Sequence, residues 1–183
     1  MKIKNLDELI LVLNNCEINK SENCYLYAMK RMNISLHEWE KYFTFRKERP
    51  ARVCLSTTED YQLFLSCWEK GQEGSIHDID SEEAWIHPIC GKLKEERYKL
   101  SNNKLEQVSS VLLTPQSYSY MQKSKTIYKY INAYENRSVS LHLYSRPVKR
   151  WREYDKNTGI SSMVENKYDA VIKGEQNVLD HDN

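Results

Sequence analysis

Residues 138–147 read Ser-Val-Ser-Leu-His-Leu-Tyr-Ser-Arg-Pro and place a hydroxyl, an imidazole and a phenol at a spacing of two. At the period of a strand, Val139, Leu141 and Leu143 share one face, and Ser140, His142 and Tyr144 share the other. Lining an interior, that polar row can position and protonate a small polar ligand. Facing water, it belongs to a half-buried edge strand, which is the commoner pattern, and alternation alone leaves both readings open. A second group, Lys149, Arg150 and Arg152 around Trp151, interleaves cations with an aromatic ring as single-stranded RNA sites do. A solvated strand end is the simpler reading of that run.

Composition narrows the choice. The chain has 183 residues, with 27 basic and 26 acidic side chains and a formal net charge of +1. There is no global field to gather nucleic acid or an anionic membrane, so neither is expected as a partner. The apolar run 9–13 is far too short to span a bilayer, and a cytoplasmic protein is expected. Five cysteines, Cys16, Cys24, Cys54, Cys67 and Cys90, include no CxxC pair, and reduced thiols are the expectation. There is no glycine-rich phosphate loop, HExxH or paired-cysteine zinc spacing.

The elements that must carry the polar row come in two textures. Residues 5–14 read as a helix capped by Asn5 with Glu8 three residues on, 23–32 as a second, and 35–43 as a third behind the Ser35/Glu38 capping box. After Pro50 the pattern changes to short strands: 53–56, 61–68, 75–79, 83–89, 92–100, 107–113, 126–130 and 138–145, with a hairpin loop at 101–104. The pattern predicts a mainly β protein, a small antiparallel barrel or jelly roll behind a preface of short helices. Residues 179–183 are mostly polar and are expected to fray.

Two stretches together carry a family resemblance. Residues 138–147 closely resemble the last core strand of the cysteine dioxygenases, cupin barrels that use mononuclear non-haem iron and dioxygen to convert cysteine to cysteine sulfinic acid. Cys67-Trp68-Glu69-Lys70-Gly71, followed by Ser75-Ile76-His77-Asp78 and Gly91-Lys92-Leu93-Lys94-Glu95, resembles the family's first cupin motif. The likeness runs more weakly through Glu38-Trp39 and through 155–159. It implies a single cupin domain over 1–183, divided into a helical preface (1–50), a barrel core (51–147) and a C-terminal extension (148–183). It also implies a monomer concerned with sulfur amino acids.

Carried over position by position, the resemblance implies that Arg52, 25 positions before His77, grips a substrate carboxylate with its planar fork. Without it, Arg52 reads as one more solvated arginine beside Arg46, Lys47 and Arg49. Tyr144 matches the family's active-site tyrosine, held by His142 and Ser140. Ala84 stands where vertebrate members have the cysteine that is cross-linked to that tyrosine, and Arg146 replaces a proline. The family's three iron-binding histidines survive only as His77. Ile79 occupies the second position, with no donor atom, and Tyr128 the third, with Ile127 one slip away. Asp80 or Glu83 can be imagined completing a site with His77 and Tyr128. The expected partner is a small amino thiol or another carboxylate-bearing small molecule. The expected activity is either an iron(II) thiol dioxygenase or a metal-free binding module.

Overall fold

The computed structural model describes residues 2–19, 23–79, 81–122 and 126–173. The chain is mostly β, 45% strand and 15% helix, and divides into two compact units, Met1–Phe43 and Thr44–Asn183.

In the first unit, α1 (Leu6–Asn19) begins as its capping residues dictate: the Glu8 N–H donates to Asn5 Oδ1 at 2.9 Å, and Asn5 Nδ2 returns a bond to Glu8 Oε1 at 3.2 Å. It runs beyond the expected end at Asn14. α2 (Cys24–Arg31) follows, and α3 (Leu36–Glu40) opens on Ser35, whose Oγ accepts from the Glu38 N–H. Cys16 and Cys24 form a disulfide, which corrects the expectation of reduced thiols. The two cysteines are eight positions apart, a spacing no short motif marks, and meet because α2 starts soon after α1 ends.

Among the described residues the second unit holds eleven strands, in two layers. One has the order β11 (Ala170–Val171), β1 (Ala51–Thr57), β2 (Gln62–Trp68), β8 (Ser138–Tyr144), β3 (Glu83–Cys90) and β6 (Ser119–Gln122). The other contains β5 (Lys104–Leu113), β4 (Leu93–Ser101) and β7 (Ile127–Asn132), and a pair formed by β9 (Arg150–Tyr154) and β10 (Ser161–Glu165). Residues 75–79, expected as a strand, are instead irregular. They join β7 to β9 through isolated bridges, His77 to Tyr128 and His77 to Glu153. The sheets do not close into a hydrogen-bonded barrel among the described residues, so the expected barrel is an open two-sheet jelly roll. The expected fraying at 179–183 lies outside the described residues.

β8 is not an edge strand. It lies between β2 and β3, and every one of its residues is buried. Leu63, Leu65, Trp85, Leu141 and Leu143 bury one face of the sheet, while Ser140, His142 and Tyr144 point into the space between the sheets with Phe64, Trp68, Ala84 and Ile86. The 101–104 hairpin is as read: Asn102 and Asn103 take φ of 50° and 58°, the left-handed pair that a two-residue turn demands.

At the corner between β3 and β4, Gly91 has φ +77°, and a Cβ there would lie 2.0 Å from Ser138 Oγ and 2.8 Å from Ser138 Cα. Gly91→Ala therefore meets both backbone strain and a clash at the start of β8. A loss of about 3 kcal/mol is expected, a fall of roughly 10 °C in Tm. A thermal melt unchanged within the spread of replicates would show that the corner is not held this way.

Candidate functional site

The interior is built from strand parity. Ser140 Oγ sits at its centre, accepting from Trp68 Nε1 at 3.1 Å and lying 2.8 Å from His142 Nε2. The serine hydroxyl, with one proton and two lone pairs, can accept from the indole and still either donate to Nε2 or accept from it, according to the tautomer of His142. His142 Nδ1 is buried and has no hydrogen-bond partner. Phe64 stacks on the imidazole at 4.7 Å and meets Tyr144 edge-on at 5.2 Å. From the opposite sheet, Tyr128 brings its hydroxyl to 3.5 Å from that of Tyr144, too long for a tight O–H···O bond. Tyr130 beside it donates to buried Glu95 at 2.6 Å, and Arg97 donates to the other Glu95 oxygen at 2.7 Å.

Arg52 enters from β1. Its guanidinium carbon lies 4.4 Å from the centre of the Phe64 ring, 4.9 Å from Trp151 and 5.5 Å from Tyr168. Its Nε is buried with no hydrogen-bond partner, and no salt bridge among the described residues engages its guanidinium. Arg52 is thus not a solvated member of the arginine run. Arg46 and Arg49 instead bind Asp169, whose carboxylate also accepts from the Arg52 backbone N–H.

Burial and this one cation set the protonation states. Burial, then the charges of Arg52 and His77, hold His142 well below its ordinary pKa. His77 is also lowered, by burial and Arg52, against the opposing pull of the Ser75 carbonyl. Burial and the neighbouring phenols Tyr144 and Tyr130 push Tyr128 well above the usual phenol value, and burial raises Tyr144 against the opposing charge of Arg52. At neutral pH the interior therefore holds neutral imidazoles and phenols around one cation.

Those histidines give the fold a pH dependence. His77, His87 and His142 all have folded pKa values below the reference of 6.5, so between the two values the unfolded chain binds more protons. Their contribution to stability is complete above pH 6.5 and declines as pH falls below it. The urea midpoint should drop between about pH 7.5 and 5.5, and His142→Gln should flatten the slope. A midpoint constant over that range would contradict the buried neutral histidines.

The site residues expected from the sequence fall together: Arg52, Ser140, His142 and Tyr144 surround Phe64, and Ala84 is paired directly across from Tyr144. Tyr128, not Ile127, faces this interior; Ile127 packs with Ile76 and Tyr98 elsewhere. Ile79 packs against the same apolar cluster as Tyr128 and Tyr144. Four lining residues were missed. Phe64 and Trp68 share the parity of Ser66 and could have been read from the strand pattern. Trp151, taken for part of a solvated basic run, turns inward between the exposed Arg150 and Arg152 and sits 5.8 Å from His77. Tyr168 carried no signal, because the strand that follows it pairs in parallel with β1.

A donor set for iron can be tested directly. His77 Nδ1 lies 3.0 Å from the Ser75 carbonyl, which puts the proton on Nδ1 and leaves Nε2 able to bind a metal. The other two positions do not fit: Ile79 has no donor atom, and Tyr128 is held as a neutral phenol by burial. Glu83 is no substitute, since its carboxylate accepts from Tyr120 at 2.5 Å, and Asp80 lies outside the described residues. Among the described residues no group of three or more His, Cys, Asp or Glu side chains is placed to hold a metal.

The fold is a mainly β one of the cupin kind, with Arg52, His142 and Tyr144 converging on its interior. The family profile for cysteine dioxygenase type I matches residues 5–157, and the chain belongs to that family. It is 27% identical to cysteine dioxygenase type 1 of Danio rerio over 175 residues and 28% identical to that of Homo sapiens over 174. Each match covers 90% of this chain and 86% of the relative. In fold alone it is similar to a double-stranded β-helix protein from Klebsiella pneumoniae, at 13% identity and a TM-score of 0.48, over 69% of this chain and 86% of that one. The family uses iron; this chain's own donors do not fit a three-histidine site.

Proposed function

We propose that this chain is a metal-free binding member of the cysteine dioxygenase family, holding a small carboxylate-bearing molecule at Arg52. The observation that carries this reading is the cation itself. The guanidinium packs against Phe64, Trp151 and Tyr168 with a buried unpartnered Nε, and no carboxylate among the described residues pairs with it to offset its desolvation. A ligand carboxylate meets the Arg52 fork. His142 Nδ1 supplies a directional bond, and the Tyr128 and Tyr144 hydroxyls are donors for the rest of the molecule. The ligand acts as a monomeric protein's small-molecule partner, with neither nucleic acid nor membrane involved. We place the protein in the cytoplasm, where a disulfide such as Cys16–Cys24 is uncommon.

A second reading is the family reaction, oxidation of a small amino thiol such as cysteine to its sulfinic acid with dioxygen. It is favoured by His77, whose tautomer suits a ligand, and by Arg52 and Tyr144. One experiment separates the two: anaerobic loading with ferrous iron, removal of excess, metal analysis, then oxygen uptake with cysteine, alongside calorimetric titration of the unloaded protein with cysteine, cysteine sulfinate and propionate. Binding of a carboxylate without iron retention or oxygen uptake supports the first reading. Retention near one iron per chain with oxygen uptake replaces it with the second.

A further inference from the structure

We infer that residues 166–172 form a releasable strap over the Arg52 site, with Tyr168 as its covering ring and Asp169 as the latch that fastens it to Arg46 and Arg49. Tyr168 faces both Arg52 and Phe64, with ring centres 6.0 Å apart in the latter case, and Asn166 Nδ2 donates to its hydroxyl at 3.1 Å. Asn166 is anchored in turn through Nδ2 to the Val148 carbonyl and through its N–H to that of Lys149.

The attachment is concentrated in one carboxylate. Arg49 reaches both Asp169 oxygens, at 2.8 and 2.9 Å, and Arg46 reaches one at 3.1 Å. The Asp169 side chain is only 3% exposed, whereas those of Arg46 and Arg49 are 52% and 55% exposed. Burial would raise this carboxyl, but the bonds from Arg49 and the Arg52 N–H and the nearby arginine charges outweigh it and hold it below its usual range. The rest of the attachment is the Asn166 bonds at its start and a two-residue strand at the sheet edge, with Asp169 N–H donating to the Arg52 carbonyl and Ile172 N–H to that of Cys54. So short an edge element, fastened by charges that water and salt can reach, opens more readily than the strands beneath it.

Cys54 reports the opening. It is buried on the same face of β1 as Arg52, two residues on, and burial pushes its thiol up to about 11. Releasing 166–172 exposes the guanidinium and the thiol together, and solvation returns the thiol towards its ordinary, more reactive state. Cys67, buried on the neighbouring β2, is the internal control for a general loosening of the sheet; the Asp169 charge also raises its thiol slightly, so a small increase there is expected whenever that charge is removed.

The test is the rate at which iodoacetamide labels each cysteine of the native full-length chain, read by peptide mass spectrometry. Asp169→Asn should speed labelling of Cys54 at least ten-fold and that of Cys67 far less. In the unaltered protein, salt near 1 M, where the Debye length is about 3 Å, should speed Cys54 several-fold. The salt arm decides the matter if the variant fails to fold. Equal Cys54 rates with and without the latch, or parallel increases at Cys54 and Cys67, would overturn the strap. A separate arm rests on the binding proposed for Arg52: in Asp169→Asn, association and dissociation of propionate, followed by intrinsic tryptophan fluorescence, should both accelerate. Unaltered protein that binds no carboxylate would defeat that binding reading and leave the labelling result to judge the strap.

Discussion

Ile79→His combined with Tyr128→His should convert a chain that retains essentially no ferrous iron into one that holds roughly one per molecule after desalting. Both side chains already face the cluster that His77 borders, and His77 lies 4.5 Å from the Tyr128 ring. Its Nε2 is left available by the Ser75 carbonyl. Two added imidazoles would give three neutral nitrogen donors, a set that suits a divalent first-row metal. Each single variant should retain far less, because two donors leave the ion mostly to water. The measurement is metal content with circular dichroism as the check on folding. A folded double variant that holds no more iron than the parent would show that the lost ligand positions have been misplaced.

The second large effect concerns Arg52. Replacing it with Ala should weaken carboxylate binding by about 100-fold or more, since a charge-assisted bond to a buried guanidinium contributes about 1.5–3 kcal/mol and the fork makes two. Arg52→Lys should recover only part of this, because an ammonium cannot lie flat between Phe64, Trp151 and Tyr168 and grip both oxygens at once. Folding stability should move the other way. Arg52→Leu removes a buried Nε with no partner and keeps apolar contact with the three rings, so its Tm should equal or exceed that of the parent. Calorimetric titration and a thermal melt on the same preparations test both halves. An Arg52→Leu protein that melts well below the parent would mean the cation is structural.

Much of this was legible in the sequence because local rules carried it. The capping residues Asn5 and Ser35, the Asn102-Asn103 turn and the alternation of β8 each depend on neighbours a few positions away, and each formed as read. What alternation could not say was which face of β8 is buried. Both are: the pairing with β2 and β3 makes β8 a central strand, and each of its faces is covered by packing between residues far apart in the chain, which alternation does not carry. Residues 75–79 had the composition of a strand, but their hydrogen bonds go alternately to β7 and β9, so they run as a seam. The inward turn of Trp151 was hidden by its charged neighbours, which share its strand but not its face. Tyr168 and Asp169 were unreadable for a stronger reason: a parallel pairing across more than a hundred residues leaves no trace in local pattern.

The tautomer fixed on His77 by Ser75 also bears on how far this chain stands from its relatives' metal chemistry. A tyrosine codon becomes a histidine codon by a single base change, whereas isoleucine requires two, passing through asparagine or leucine. Tyr128 is therefore one mutational step from a ligand. Ile79 is two steps away, and the asparagine intermediate would already carry a carbonyl oxygen able to touch a cation. With the first imidazole correctly protonated, a three-histidine set is as few as three base changes away, a short path for laboratory selection.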